Sequence, residues 1–168
     1  MIILTEAERS EMSKQPIEDS LSSHAFFYEL DGRFMKFLSN SSTVLGIKEG
    51  DVLFHQGEHA DKFYLLRNGQ VSVQVPTPIG PALEIQALSK DQILGWSWLI
   101  PPYRWHFQAR AMEDSDLLEF DGSAILVHCE EDPKFGYELL KRFAALMSER
   151  LDAARQKMMD HWDPPGFA

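Results

Sequence analysis

The sequence predicts a mainly β domain of the antiparallel sandwich or barrel class, flanked by helices and closed by a long C-terminal helix. Three observations carry this. Between residues 43 and 121 the apolar runs are short and punctuated by turn signals. An Asn68-Gly69 pair separates two strand-like runs. From Ser123 onward the apolar spacing becomes helical.

The elements follow in order. Thr5-Glu6-Ala7-Glu8 has the pattern of a capping box and predicts a short polar helix. Leu30, Phe34, Phe37 and Leu38 fall at helical spacing. Glu49-Gly50-Asp51 and Gln56-Gly57-Glu58 are turns that bracket Val52-Leu53-Phe54. Asn68-Gly69 between Tyr64–Arg67 and Gln70–Val75 predicts a hairpin, because both turn residues tolerate positive φ. In the second run Val71, Val73 and Val75 alternate with Ser72 and Gln74, so one face is expected buried and the other wet. The proline-rich stretch 76–81 is a loop. Further strands are expected at Leu83–Leu88, Phe107–Met112 and Leu117–Phe120.

Asp132-Pro133 is a helix start, with Asp as cap and Pro where its missing N–H costs nothing. The helix to about Asp160 would be roughly 40 Å long at 1.5 Å per residue, more than a small β-domain covers. Leu140, Ala144, Met147, Leu151, Ala154 and Met158 alternate four and three apart, an a/d stripe. These six residues are the expected interface of a homodimer.

Composition narrows the function classes. The 168 residues fit one domain, and 44% hydrophobic content supports a core without metal or disulfide. The single cysteine, Cys129, excludes an intramolecular bridge and suits a reducing cytoplasm. No apolar run approaches the roughly 20 residues of a membrane helix, and the start lacks the features of a signal peptide. A cytoplasmic location without membrane partner is expected. The net charge of −10, with basic residues scattered, disfavours direct nucleic-acid binding.

From Phe26 to Asp160 the chain resembles the sensory half of the bacterial catabolite-activator and fumarate-nitrate-regulator superfamily. The likeness rests on Phe26-Phe27, Gly50-Asp51-Val52-Leu53-Phe54-His55-Gln56-Gly57-Glu58 and Asp61-Lys62-Phe63-Tyr64-Leu65-Leu66-Arg67-Asn68-Gly69. Gly95, Arg110-Ala111 and the long final helix complete it. The resemblance implies a cyclic-nucleotide-binding-like β-roll (double-stranded β-helix or jelly roll). Its implied layout is an N-terminal helical segment (1–42), the roll (43–121) and C-terminal helices that include a dimerisation helix (122–168), all in one domain. The superfamily's regulators continue into a helix-turn-helix domain, for which the residues after Asp160 leave no room.

The resemblance also locates the ligand cassette. In the family a strand ends in Gly-Glu, and about ten residues later an Arg, a small polar residue and Ala hold the cyclic phosphate. Helix N-termini and Arg forks favour such an anion. Here Gly95 survives, but Trp96 stands at the carboxylate position and Trp105 at the phosphate-Arg position, with Arg104 one place away. His106 and Phe107 replace the small polar residue and Ala. The expected ligand-binding set is Gly95, Trp96, Ser97, Trp98, Arg104, Trp105, His106 and Phe107.

Trp96, Trp98 and Trp105 either wall a pocket for a flat ligand or fill volume that a nucleotide vacates. Arg104 either turns inward through a bulge or lies on the surface. Gly95-Trp96-Ser97-Trp98-Leu99 lacks the second glycine and the parallel sheet of a nucleophile elbow, so Ser97 is not read as catalytic. His55 and His59 flank a turn at Gly57 and are not read as metal ligands. The expectation is a non-catalytic sensor, without metal or cofactor, for an anionic or aromatic small molecule. The alternatives are a cyclic AMP or cyclic GMP domain with displaced anchors, or a ligand-free interaction module.

Overall fold

The helices start where the sequence offers a side-chain acceptor. In the computed structural model, which describes residues 17–160, α1 (Gly32–Asn40) is capped by Asp31, whose carboxylate accepts the Arg33 N–H at 2.9 Å. Asp121 caps α2 (Gly122–Glu131) through the Ala124 N–H at 3.0 Å. Asp132 accepts from Lys134 and Phe135 at 3.1 and 3.2 Å at the start of α3 (Pro133–Asp160). Each such cap contributes about 1 kcal/mol. The Thr5–Glu8 capping-box expectation lies outside the described residues.

Eight strands follow among the described residues: β1 Ser42–Ile47, β2 Val52–Phe54, β3 Lys62–Asn68, β4 Val71–Val75, β5 Leu83–Leu88, β6 Gln92–Leu94, β7 Gln108–Ala111 and β8 Ser115–Asp121. They form two four-stranded antiparallel sheets, ordered β1-β8-β3-β6 and β2-β7-β4-β5. This is the predicted antiparallel β-roll, flanked by helices, with the longest helix at the C-terminal end.

Two local expectations are corrected. Asn68-Gly69 does not close a hairpin: β3 pairs with β6 and β8, while β4 pairs with β5 and β7. A type I′ turn needs positive φ at both central residues. Here only Gly69 has it (φ 93°), and the chain uses the turn to cross between sheets. A Cβ at Gly69 would overlap the side chain of Ser115. In β4, Ser72 is fully buried beside Val71 and Val73, so the expected wet face is missing. Its hydroxyl donates to the Glu84 carboxylate on β5 and accepts from the Gln74 side-chain amide at 3.1 Å, which satisfies it without water.

The core is an aromatic stack shared by roll and helix. Phe63 of β3 lies parallel to Phe120 of β8 at 4.3 Å. Phe143 of α3 meets Phe63, Trp98 and Phe26 edge-on at 5.3, 5.5 and 5.0 Å. Fully burying one such ring stabilises by roughly 3 kcal/mol, so the first half of α3 is a structural part of the roll. Phe135 and Leu139 continue the same buried stripe towards the helix start. Among the described residues no helix is long and apolar enough to cross a membrane.

Candidate ligand cavity under the C-terminal helix

Beyond Phe143 the helix no longer lies flush on the roll, and a cavity of about 500 Å³ opens between them. This falls in the roughly 300–1,000 Å³ range of small-molecule sites. Its floor is Phe54, Val73 and Leu94, and Ile85, Gln86 and Ala87 of β5 form one wall. The segment after β6 supplies Gly95, Trp96 and Ser97, and Trp105, His106 and Phe107 come from the approach to β7. The roof is α3, through Met147, Arg150, Leu151, Ala153 and Ala154.

Gly95 is required by both backbone and space. Its φ is 91°, and a Cβ there would come within 2.9 Å of the Trp105 ring. That ring is buried and stacks on Phe54 at 3.7 Å, nearly parallel. Trp105 is fixed by its backbone too: it donates to Glu58 at 3.0 Å and accepts from Gly57 at 2.8 Å. The Trp105 ring therefore occupies space beside Gly95 as a fixed wall rather than as a gate.

Six of the eight residues expected at the ligand site line the cavity: Gly95, Trp96, Ser97, Trp105, His106 and Phe107. The structure places the other two elsewhere. Trp98 is fully buried in the core, stacked on Phe63 at 5.2 Å, where an apolar ring fills the seam between roll and α3. Arg104 is exposed and donates to the Gly57 carbonyl at 2.8 Å, because it bridges to His59 as an extended residue and its side chain follows that loop outward. The three tryptophans thus divide between the two readings, with Trp96 and Trp105 at the cavity and Trp98 in the core.

The residues expected at a dimer interface also divide. Leu140, Ala144, Leu151, Ala154 and Met158 are exposed, whereas Met147 is half-buried against the core. Met147, Leu151 and Ala154 line the cavity as well. One stretch of α3 therefore borders both cavity and solvent.

Sequence reasoning missed Arg150. Its Cζ lies 5.0 Å from the centre of the Trp96 ring, and Nη2 donates to the Ile93 carbonyl on β6. Burial pushes its pKa down to about 10, so it stays charged at neutral pH. Among the described residues it forms no ion pair with a carboxylate. A signal was present: Phe135, Leu139, Phe143, Leu146 and Arg150 step four, four, three and four apart, which sets a charge on the buried stripe.

A family model for the cyclic nucleotide-binding domain matches residues 45–132, more than half of the chain. The chain belongs to the cyclic nucleotide-binding domain family. Among solved structures it is similar to a candidate cyclic nucleotide-binding protein of Geobacter metallireducens GS-15, at 25% identity and TM-score 0.73, over 80% of this chain and 97% of that one. It is similar also to the sensor domain of the transcriptional regulator DNR of Pseudomonas aeruginosa (23% identity, TM-score 0.69, 83% and 94% covered). A cyclic nucleotide-binding domain of Methylobacillus flagellatus shares its fold at 16% identity and TM-score 0.75, with 92% and 87% covered. No curated protein matches the chain.

The segment from Gly95 to Phe107 contains turns and an isolated bridge but no helix, and among the described residues no Asp or Glu lines the cavity. Among the described residues, the Lys or Arg in the lining is Arg150 of α3, not a residue of the cassette.

Proposed function

We infer that this chain is a non-catalytic regulatory domain that senses a small molecule in the cavity between roll and α3. One observation carries the reading: the cavity is walled by the cassette on one side and by the distal half of α3 on the other. Anything that fills it changes how that half seats, and a homodimer built on Leu140, Ala144, Met147, Leu151, Ala154 and Met158 would feel the change. Coupling of this kind is typically worth 1–3 kcal/mol. Similarity to the sensor domain of a transcriptional regulator supports a regulatory role.

The side chains support binding rather than turnover. Ser97 and His106 both line the cavity, yet no hydrogen bond joins them, so Ser97 lacks the base that would activate it. Nothing in the lining calls for a cofactor. The acidic charge and the scattered bases favour a small-molecule ligand over direct nucleic-acid contact, and the compartment proposed is the cytoplasm.

A second reading is favoured by the half-buried guanidinium of Arg150, which would serve a cyclic nucleotide as a displaced anchor. Calorimetry with cyclic AMP and cyclic GMP decides between them. Two lost charge-assisted contacts, at about 1.5–3 kcal/mol each, would turn a micromolar ligand into one near millimolar. The expected result is no micromolar binding of either nucleotide. A micromolar constant for either would replace the first reading with the second.

A further inference from the structure

We propose that Arg150 is the anion anchor of the cavity and that the ligand is an amphipathic organic monoanion, with a flat apolar body and one carboxylate or sulfonate. The inference rests on the ligand-sensing reading and names the chemistry of its ligand.

Three features of the site point there. First, Arg150 is a cation held in a largely apolar cavity. Its Nη2 is used on the Ile93 carbonyl, and no hydrogen bond from its other N–H groups is made among the described residues. A guanidinium presents five donors in a planar fork, so donors remain for an anion's paired oxygens. Secondly, no carboxylate among the described residues pairs with it directly. Its neighbour Glu149 acts on it electrostatically, but among the described residues the two form no ion pair. A cation taken out of water without an anion is costly, and an anionic ligand removes that cost.

Thirdly, the surroundings fit a flat apolar body better than a sugar. Trp105 and Phe54 form a stacked aromatic surface in the cavity, and Trp96 lies under the guanidinium. Apart from Arg150, the polar side chains of the lining are Gln86, Ser97 and His106. A ribose would bring hydroxyls with no carboxylate to accept them. One charge at the roof and aromatic walls below suit a single-headed molecule. The anchor also sits on the helix rather than the cassette, so a bound anion ties α3 to the roll directly.

The test compares two matched fluorescent probes, 8-anilinonaphthalene-1-sulfonate and its uncharged analogue N-phenyl-1-naphthylamine. Each is titrated into the full chain and into Arg150→Met and Arg150→Lys. Expected for Arg150→Met is a loss of about tenfold or more in affinity for the sulfonate. The neutral probe should stay within about twofold, since the apolar walls are intact. Arg150→Lys should fall between, because an ammonium keeps the charge without the fork. Unchanged sulfonate affinity in Arg150→Met, or equal loss of both probes, would overturn the anchor while leaving the cavity reading in place. If the wild-type chain binds neither probe, the cavity reading itself fails. Should Arg150→Met not fold, Arg150→Lys carries the decision: sulfonate affinity must fall and the neutral probe must stay within about twofold, and an unchanged sulfonate affinity overturns the anchor.

Discussion

The two halves of α3 differ in what they touch. The first half buries Phe135, Leu139 and Phe143 completely in the aromatic core. The second half roofs a cavity, and Leu151 and Met158 are 71% and 73% exposed. The same regular helix is therefore an integral wall of the roll at one end and a lid with few neighbours at the other. Local stability follows buried contacts, so the first half should open only with the whole fold and the second should open on its own. A sensor needs that contrast: a fixed reference and an element that a ligand can reseat.

The contrast can be broken most directly at Phe143. Phe143→Ala should destabilise the fold by about 3–5 kcal/mol, read from a denaturant midpoint. A loss below about 1 kcal/mol would mean that the first half is not built into the core. Next in size is Leu151→Glu. It should split the proposed homodimer, so that light scattering returns the 19.2 kDa chain mass, while monomer stability changes little. A dimer that survives this charge would move the interface elsewhere.

Hydrogen exchange sharpens the comparison without mutation. Amides of residues 147–158 should exchange faster than those of residues 136–146, and a cavity ligand should slow the former set selectively. The smallest expected effect concerns Cys129 of α2, which packs beside Gly136 in the first half. Burial raises its thiol from 9.0 to about 11, so the folded state holds the proton more tightly. That contribution to stability is present below pH 9 and is lost as pH rises through 11. A thiol reagent at pH 8 should therefore react more slowly with the native chain than with the unfolded one. Leu151→Glu should leave the native rate within about twofold.

Much of the fold was legible because its signals are local. Asp132-Pro133 predicts the start of α3, and the elements with unambiguous apolar spacing fall where expected. The exceptions are instructive. Asn68-Gly69 carries a hairpin's sequence, but pairing partners are chosen by the sheets, and residue type cannot report that choice. Ser72 follows the alternation of a half-wet strand, yet Glu84 lies across on β5 to satisfy it, and the cost of burial disappears. In the site, the cassette positions led to six lining residues because Gly95 fixes the backbone there. Arg150 escaped because a lone arginine on a helix reads as a solvated face. Only its phase relative to Phe143 and Leu146 sets it on the buried side.

The crossing at Gly69 has a kinetic consequence. Because β3 lies in one sheet and β4 in the other, β3 is not stabilised by its immediate successor and pairs instead with β6 and β8. β1 must wait for β8, with Ser42 opposite Phe120 and Ile47 opposite Ser115. Such long-range pairings incur loop-closure entropy before they gain contacts, which places folding in the slow range of roughly milliseconds to seconds. The roll should then assemble in one concerted step, with the cavity floor formed only once the most distant strands have met.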